Sequence, residues 1–335
     1  MDIIKKLRRA GLSSKPEDIT EFVSTGSYAM NWVISGRFDG GIPIGAITQI
    51  QGGSSSAKTA VLSNVLGRAQ KRGYHVAIAD VENTLSPSYC NIFGLDSDNL
   101  ILYNTRSIEE TFDWMEKVIS EIRKEDPDTP IVVGLDSLAQ LGPQDEIDAE
   151  GYGQSNTDGM IRAKKIGGCL RKFFTVVKKE KVALVIINQI REKIAMYGDP
   201  EVKAAGGRAL DFYLSVDLKT HSNKTTDIIR NSNKVPMGIT GKMKNLKNKI
   251  SIPFLNCSFE LIFNEGITEY FGLLPILVQE GHVTQNGAWY EANGKKFQSK
   301  DFISLLHDSS VEGFDPLRNL LNLTLEKQTP GSMID

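Results

Sequence analysis

The sequence predicts an α/β protein: a mostly parallel central sheet flanked by helices and continued by an antiparallel extension, with a short N-terminal helix and a small C-terminal domain. Three observations carry this. Short apolar runs alternate with amphipathic helical patterns from Ala46 to Asn188, the layout of a parallel sheet covered on both faces. A Gly/Ser loop, Gly52-Gly53-Ser54-Ser55-Ser56-Ala57, joins the first of these strands to a helix and ends in Lys58-Thr59. After Gly206-Gly207 the pattern becomes strand-like alternation without intervening helices.

In chain order, Ile3, Ile4, Leu7 and Ala10 share one helical face, with Gly11 as the stop. That stripe has no partner nearby in sequence; it packs on its own core or on a neighbouring copy, and the pattern leaves both open. Behind the Gly/Ser loop, Val61, Leu62, Val65, Leu66 and Ala69 mark a helix, and His75 to Asp80 reads as the next strand. Ser107 with Glu110 forms a capping box ahead of a helix whose inner face is Ile108, Phe112, Met115, Ile119 and Ile122. Strands are expected at Pro130 to Asp136 and Val182 to Asn188, separated by a helix from Met160 to Lys179.

Further on, Leu214, Val216 and Leu218 alternate with Ser215, Asp217 and Lys219, and Ile250 to Phe254 and Ser258 to Phe263 look extended. Residues 222–234, rich in Asn, Lys, Ser and Thr, read as an exposed loop. From Leu273 the chain reads as an appended unit with turns at Gly281, Gly287 and Gly294, short helices at Phe302 to Leu306 and Leu317 to Leu325, and a frayed tail. The expected division is an arm at 1–21, a core at 22–272 and a small domain at 273–335.

Composition narrows the class without naming it. With 335 residues, 40% hydrophobic content and a formal net charge of −2, the chain has ample core, and global charge does not announce a nucleic-acid partner. Cys90, Cys169 and Cys257 lie far apart and the histidines do not cluster, so neither a disulfide framework nor a zinc site is indicated. The charged N-terminus resembles neither a signal peptide nor a membrane span, which points to the cytoplasm and to no membrane partner.

The Gly/Ser loop has the layout of a nucleoside-triphosphate P-loop. Its backbone N–H groups converge on phosphate oxygens, and the helix behind adds the positive end of its dipole. Lys58 is then placed for the β and γ phosphates and Thr59 for Mg²⁺. Ala57 stands where the motif has its last glycine, and its Cβ is expected to crowd phosphate or resist positive φ. Asp136 closes the run Ile131-Val132-Val133-Gly134-Leu135 and fits a carboxylate that binds Mg²⁺ through water. Glu82, just past the His75 to Asp80 strand, is placed to polarise an attacking water. Gln189, at the tip of another strand, is an amide able to bond the γ-phosphate and move when it leaves.

Ordered matches then run through most of the chain: Ser24-Thr25-Gly26-Ser27, Gly40-Gly41-Ile42-Pro43-Ile44-Gly45, Asp80-Val81-Glu82, Ser86-Pro87-Ser88-Tyr89, Leu135-Asp136-Ser137, Ile187-Asn188-Gln189-Ile190-Arg191, Gly206-Gly207, Lys247-Asn248-Lys249-Ile250, Gly266-Ile267 and Gly287-Ala288-Trp289-Tyr290. On these residues the chain resembles the RecA-type recombinases, and among them those encoded by bacteriophages. The resemblance covers about residues 22–300. It implies a RecA-like P-loop ATPase core with ATP and Mg²⁺ as cofactors. Glu82 becomes the catalytic carboxylate, assisted by Lys58, and Gln189 the γ-phosphate sensor. Tyr89 and Phe271 pack on the adenine, while Lys247 and Lys249 reach phosphates bound by a neighbouring protomer.

The resemblance further implies two DNA-binding loops, Ala149 to Gly159 and Arg191 to Arg208. Their contacts are Arg162, Lys164, Arg191, Lys193, Arg208, Gly206, Gly207 and an inserting aromatic, Tyr197. The implied partners are single-stranded DNA, double-stranded DNA as the second strand, and further copies of the chain in a helical filament that pairs homologous strands. Four departures stand out: Ala57 in the P-loop, Ser86 where an acidic residue is common near the adenine, a slightly shortened second loop, and a tail without a long acidic extension. Two alternative readings are a filament-forming DNA-binding mediator with weak hydrolysis, which Ala57 favours, and a hexameric DNA motor. The pair Lys247 and Lys249 resembles recombinases instead of motors.

Overall fold

The computed structural model of the chain describes residues 3–10, 18–148, 159–192, 202–204, 207–222 and 228–323. Helix α1 (Ile3–Arg9) forms where the apolar stripe predicts it, and none of its residues is buried. Strands β1 (Phe22–Val23) and β2 (Ile42–Pro43) pair antiparallel around α2 (Tyr28–Ser35). Ser27 caps that helix by accepting from the Met30 amide, and Gly36 ends it in the left-handed region at φ 70°.

The wholly buried β3 (Ala46–Gly52) leads through the Gly/Ser loop into α3 (Lys58–Lys71), followed by β4 (His75–Asp80), α4 (Pro87–Ile92) and β5 (Ile101–Tyr103). Next comes α5 (Ile108–Glu125), whose capping box forms by half. Ser107 Oγ accepts from the Glu110 amide at 3.2 Å, while the Glu110 carboxylate accepts from Thr105 Oγ1 at 2.6 Å.

The chain continues through β6 (Ile131–Asp136), α6 (Gln144–Ile147), α7 (Gly159–Lys179), β7 (Val182–Glu192), β8 (Val202–Ala204), α8 (Gly207–Tyr213) and β9 (Val216–His221). The antiparallel part is β10 (Ile228–Arg230), β11 (Pro236–Asn248), β12 (Asn256–Ile262) and β13 (Gly266–Ile267). The C-terminal segment holds α9 (Leu273–Gln279), a small sheet of β14 (Thr284–Asn286), β15 (Trp289–Ala292) and β16 (Lys295–Gln298), then α10 (Phe302–His307) and α11 (Asp315–Leu320).

The principal sheet runs β13-β12-β11-β9-β3-β7-β6-β4-β5. From β9 to β5 every neighbouring pair is parallel, and from β9 to β13 every pair is antiparallel. Ile50, Val185 and Ile187 face the cluster that includes Leu62 and Leu66 of α3, while Ile47, Leu184 and Ile186 face Phe112 of α5 and Phe173 of α7. Burial on both faces explains why these strands are continuous apolar runs. The sheet thus brings the carboxyl ends of β3, β7, β6 and β4 together on one edge, the edge where open α/β sheets bind ligands.

The structure corrects three local expectations. Ile250 to Phe254 is no strand: it is the turn between β11 and β12, with Phe254 at φ 68°. The long strand is instead β11, thirteen residues whose Gly, Lys and Asn content hides it from a strand pattern. A Cβ on Gly241 would come within 2.4 Å of the Phe259 ring, so close packing against β12 accounts for that glycine. The third correction is β10, which pairs with β11 inside the segment read as a loop. The C-terminal segment has a sheet of its own, yet Phe297, Phe302 and Phe314 join the same contiguous core as α2 and α3. Among the described residues, no helix is long and apolar enough to cross a membrane, and all three cysteines are free.

Candidate active site

The loop between β3 and α3 is shaped by backbone that only some residues tolerate. A Cβ on Gly52 would come within 2.4 Å of Ser56 Oγ and 2.5 Å of the Thr220 carbonyl, so that position must be glycine. Ser55 and Ala57 both take left-handed conformations, at φ 63° and 64°. Ala57 therefore adopts the positive φ that its Cβ disfavours, at a cost of roughly 1 kcal/mol. Ser56 is held from two sides, by the Gly53 carbonyl at 2.9 Å and Thr220 Oγ1 at 3.0 Å. Gly53, Ser54 and Ser55 are exposed at the loop crown.

Lys58, the first residue of α3, is buried with its Nζ donating to the Gly53 carbonyl at 2.7 Å. Burial lowers its pKa, and the nearby Asp136 and Glu82 charges oppose the shift. Thr59 Oγ1 donates to Asp136 Oδ2 at 2.6 Å across the gap between α3 and β6. The other oxygen, Oδ1, is buried without a hydrogen-bond partner. Burial, with the Glu82 and Asp80 charges beside it, pushes Asp136 up to about 6 although the Thr59 hydrogen bond pulls it down.

A hydroxyl beside an unsatisfied carboxylate oxygen suits a hard cation that completes its shell with phosphate and water. Among the described residues, no group of three or more His, Cys, Asp or Glu side chains is placed to hold a metal ion. An all-protein metal cage is therefore not what this site offers.

Glu82 follows β4, and its Oε1 accepts from Ser137 Oγ at 2.8 Å and from Gln189 Nε2 at 2.9 Å. Both donors take the same oxygen, Oε1, which fixes the carboxylate. Lys58, Thr59, Glu82, Asp136 and Gln189 line one cavity of 360 Å³, with Ser54, Ser55, Ser56 and Ala57 at its rim.

The apolar wall of that cavity is made by Tyr89, Ile239, Leu261 and Phe263. Tyr89 stands in α4, where Ser86 Oγ accepts its amide at 3.2 Å and the ring packs on Phe93 at 5.0 Å. Burial raises the Tyr89 hydroxyl to about 12, so it stays neutral. Phe271, expected beside the base, is not among the lining residues; it sits half-buried before α9. Phe263, at the end of β12, supplies an aromatic ring, 44% exposed, in its place. Sequence reading missed Phe263 because β11, whose Ile239 completes the wall, was not recognised as the strand next to β12.

Lys247 and Lys249 do not line this cavity. They stand at the end of β11, where Lys247 Nζ donates to the Asp211 carbonyl and Lys249 Nζ to the Phe212 carbonyl at 3.4 Å. Burial and the neighbouring Lys247 and Lys178 charges lower the Lys249 pKa. Phe212 beside them is 76% exposed.

Of the expected DNA contacts, Lys164 is exposed on α7, whereas Arg162 donates to the Leu138 carbonyl at 2.9 Å, which ties α7 to the turn after β6. Arg191 falls near the end of β7, Gly207 opens α8 at φ 57°, and Arg208 lies in its first turn. Lys193, Tyr197 and Gly206 lie outside the described residues, as does the first loop from Ala149 to Asp158.

Comparison with known proteins agrees with this geometry. The family model of the RecA N-terminal domain matches residues 7–268. "Protein RecA" of Heliobacterium modesticaldum is 35% identical over 279 residues, covering 83% of this chain and 76% of its own length. That of Clostridioides difficile is 33% identical over 320 residues, covering 94% and 87%. That of Streptomyces avermitilis is 33% identical over 288 residues, covering 84% and 71%. With the P-loop, the paired strand-end carboxylates and the sheet order in place, the chain belongs to the RecA family.

Proposed function

We propose that this cavity binds and hydrolyses ATP at the boundary between protomers, and that ATP there holds an extended filament on single-stranded DNA. The protein is a RecA-type, ATP-dependent DNA recombinase and a DNA-dependent ATPase. The observation that best supports the site assignment is the Gln189–Glu82 hydrogen bond, which puts a water-orienting carboxylate and an amide sensor on one wall of the Lys58 cavity.

In this reading Lys58 leaves the Gly53 carbonyl for the β and γ phosphates, exchanging a neutral acceptor for a charged one. Thr59 and Asp136 hold Mg²⁺, which when bound offsets phosphate charge. Tyr89 and Phe263 flank the base. Glu82 positions the attacking water through its second oxygen, and loss of the γ-phosphate frees the Gln189 amide. Because Gln189 stands on β7 just ahead of Arg191 and the second loop, the state of the phosphate is transmitted to the DNA-facing segment.

Lys247 and Lys249 reach the neighbour's phosphates, so that the γ-phosphate charge is neutralised only when two chains meet. Homologous duplex is then sampled by base pairing while the protein holds mainly backbone, through Lys164, Arg191, Lys193, Tyr197 and Arg208. The intact Glu82–Gln189 pair and an Ala57 already seated in the left-handed region favour efficient hydrolysis over a mediator that has lost it. The test is ATP turnover with and without single-stranded DNA, paired with negative-stain images. Stimulated turnover and open helical filaments are expected; closed rings without DNA would favour a motor instead.

A further inference from the structure

Beneath the site, on the face of the sheet that packs on α5, α7 and α8, lies a buried chain of polar side chains. Asp217 of β9 is 8% exposed and accepts from Gln49 Nε2 at 2.9 Å and from Gln51 Nε2 at 2.8 Å. Gln49 Oε1 in turn accepts from Asn188 Nδ2 at 2.9 Å. Gln49 and Asn188 are 1% and 0% exposed. The sequence pattern had Asp217 on the alternating, polar side of its strand; the structure buries it.

The chain crosses three adjacent strands, β9, β3 and β7, and each end meets the machinery. Gln51 precedes Gly52, where the P-loop begins, and pairs in register with Asn188. Asn188 precedes Gln189, whose amide holds Glu82. On its other side Asp217 stands opposite Lys247 in the β9–β11 register. The apolar cluster on this side of the sheet includes Ile47, Leu184 and Ile186 of the strands and Leu210 and Leu214 at α8. Burying a carboxylate among such residues costs stability that an apolar side chain would keep, so packing alone does not explain it.

We propose that Asp217 is a positioning residue for ATP hydrolysis, acting through Gln49 and Asn188 to hold the tip of β7, and with it the Gln189–Glu82 pair, in register with the P-loop. The proposal rests on the roles given above to Glu82 and Gln189. Asp217 does not line the Lys58 cavity. It fixes two amide side chains in one orientation each, since both Gln49 and Gln51 must point their N–H groups at it, and Gln49 must then offer its oxygen to Asn188. Both amides donate to Oδ1 and Gln51 donates also to Oδ2 at 2.8 Å, so an Asn at 217 keeps one shared acceptor and sets its own N–H₂ against that of Gln51.

The test is steady-state and single-turnover ATP hydrolysis of the full chain on single-stranded DNA for Asp217→Asn, Gln49→Met, Asn188→Ala and their pairs, with Glu82→Gln as reference. Gln49→Met cuts the link to Asn188 without changing charge, and it carries the test if Asp217→Asn does not fold. The expected result is a kcat at least tenfold lower in Asp217→Asn and in Gln49→Met, with KM for ATP within twofold of the parent. The double variants should lose no more than the worse single one. Parental kcat in folded Gln49→Met, or losses that multiply across the pairs, overturns the relay while a dead Glu82→Gln leaves the site assignment standing. Normal turnover in Glu82→Gln overturns the site assignment and the relay with it.

Discussion

Gln189 of β7 and Glu82 after β4 are joined by a 2.9 Å hydrogen bond that spans the intervening strand β6, and Ser137, the residue after β6, donates to the same oxygen. The carboxylate proposed to orient the attacking water is thus held by Gln189, the residue proposed to report the γ-phosphate. If Glu82 orients the attacking water, Glu82→Gln leaves ATP binding within about threefold of the parent while turnover drops by roughly 100-fold or more. Equilibrium nucleotide binding and phosphate release check the two halves separately, and parental turnover would remove Glu82 from the mechanism.

Lys58 donates to the neutral Gly53 carbonyl in this structure, and in the working state proposed above it exchanges that acceptor for a phosphate. Lys58→Ala is expected to weaken ATP by about 10- to 100-fold, the scale of a lost hydrogen bond between charged groups. Fluorescent-nucleotide titration gives the answer, and unchanged affinity would contradict the P-loop assignment.

Two phenylalanines separate the observed wall from the expected one. Phe263→Ala should lower ATP affinity about tenfold by removing an aromatic face from the base slot, whereas Phe271→Ala should leave it unchanged. The reverse order, measured by the same titration, would return the base to Phe271.

Ala57→Gly tests the strain at φ 64°. Glycine accepts that backbone freely, so the variant should gain roughly 1 kcal/mol of stability, offset in part by the greater freedom of an unfolded glycine. Thermal unfolding without nucleotide reads the change, and a lower melting temperature would show that the Ala57 methyl packs better than its backbone is strained.

Asp136 carries a pH signature. Its folded pKa, raised by burial to about 6, exceeds the ordinary carboxylate value, so the folded state binds the proton more tightly than the unfolded state does. The resulting stabilisation is complete below the unfolded pKa and is lost as pH rises through about 6. The parent minus Asp136→Asn difference in unfolding free energy should therefore shrink between pH 4 and 6 as pH increases. A difference that grows instead would mean the carboxylate is ionised at lower pH than its surroundings imply.

How much of this was legible in the sequence follows from the physics of each part. Strands buried on both faces announce themselves as apolar runs, which is why His75 to Asp80 and Ile131 to Asp136 were placed almost to the residue, and with them the strand-end carboxylates. The P-loop was visible because phosphate needs small residues at fixed spacing. What stayed hidden depends on pairing: β11 has few β-branched residues and is held by register with β9 and β12, so the wall of Ile239 and Phe263 could not be read locally. Asp217 was hidden for the same reason, since its two amide partners lie more than 160 positions away.

If ATP is shared between adjoining copies through Lys247 and Lys249, assembly itself depends on that pair. Sedimentation and negative-stain imaging should be run with Mg²⁺, a non-hydrolysable ATP analogue and single-stranded DNA, for the parent and for Lys247→Ala/Lys249→Ala. Regular helical filaments are expected from the parent, and none from the double variant while its own P-loop still binds nucleotide. A parent that stays monomeric under these conditions, or a double variant that assembles as well as the parent, would contradict the shared site.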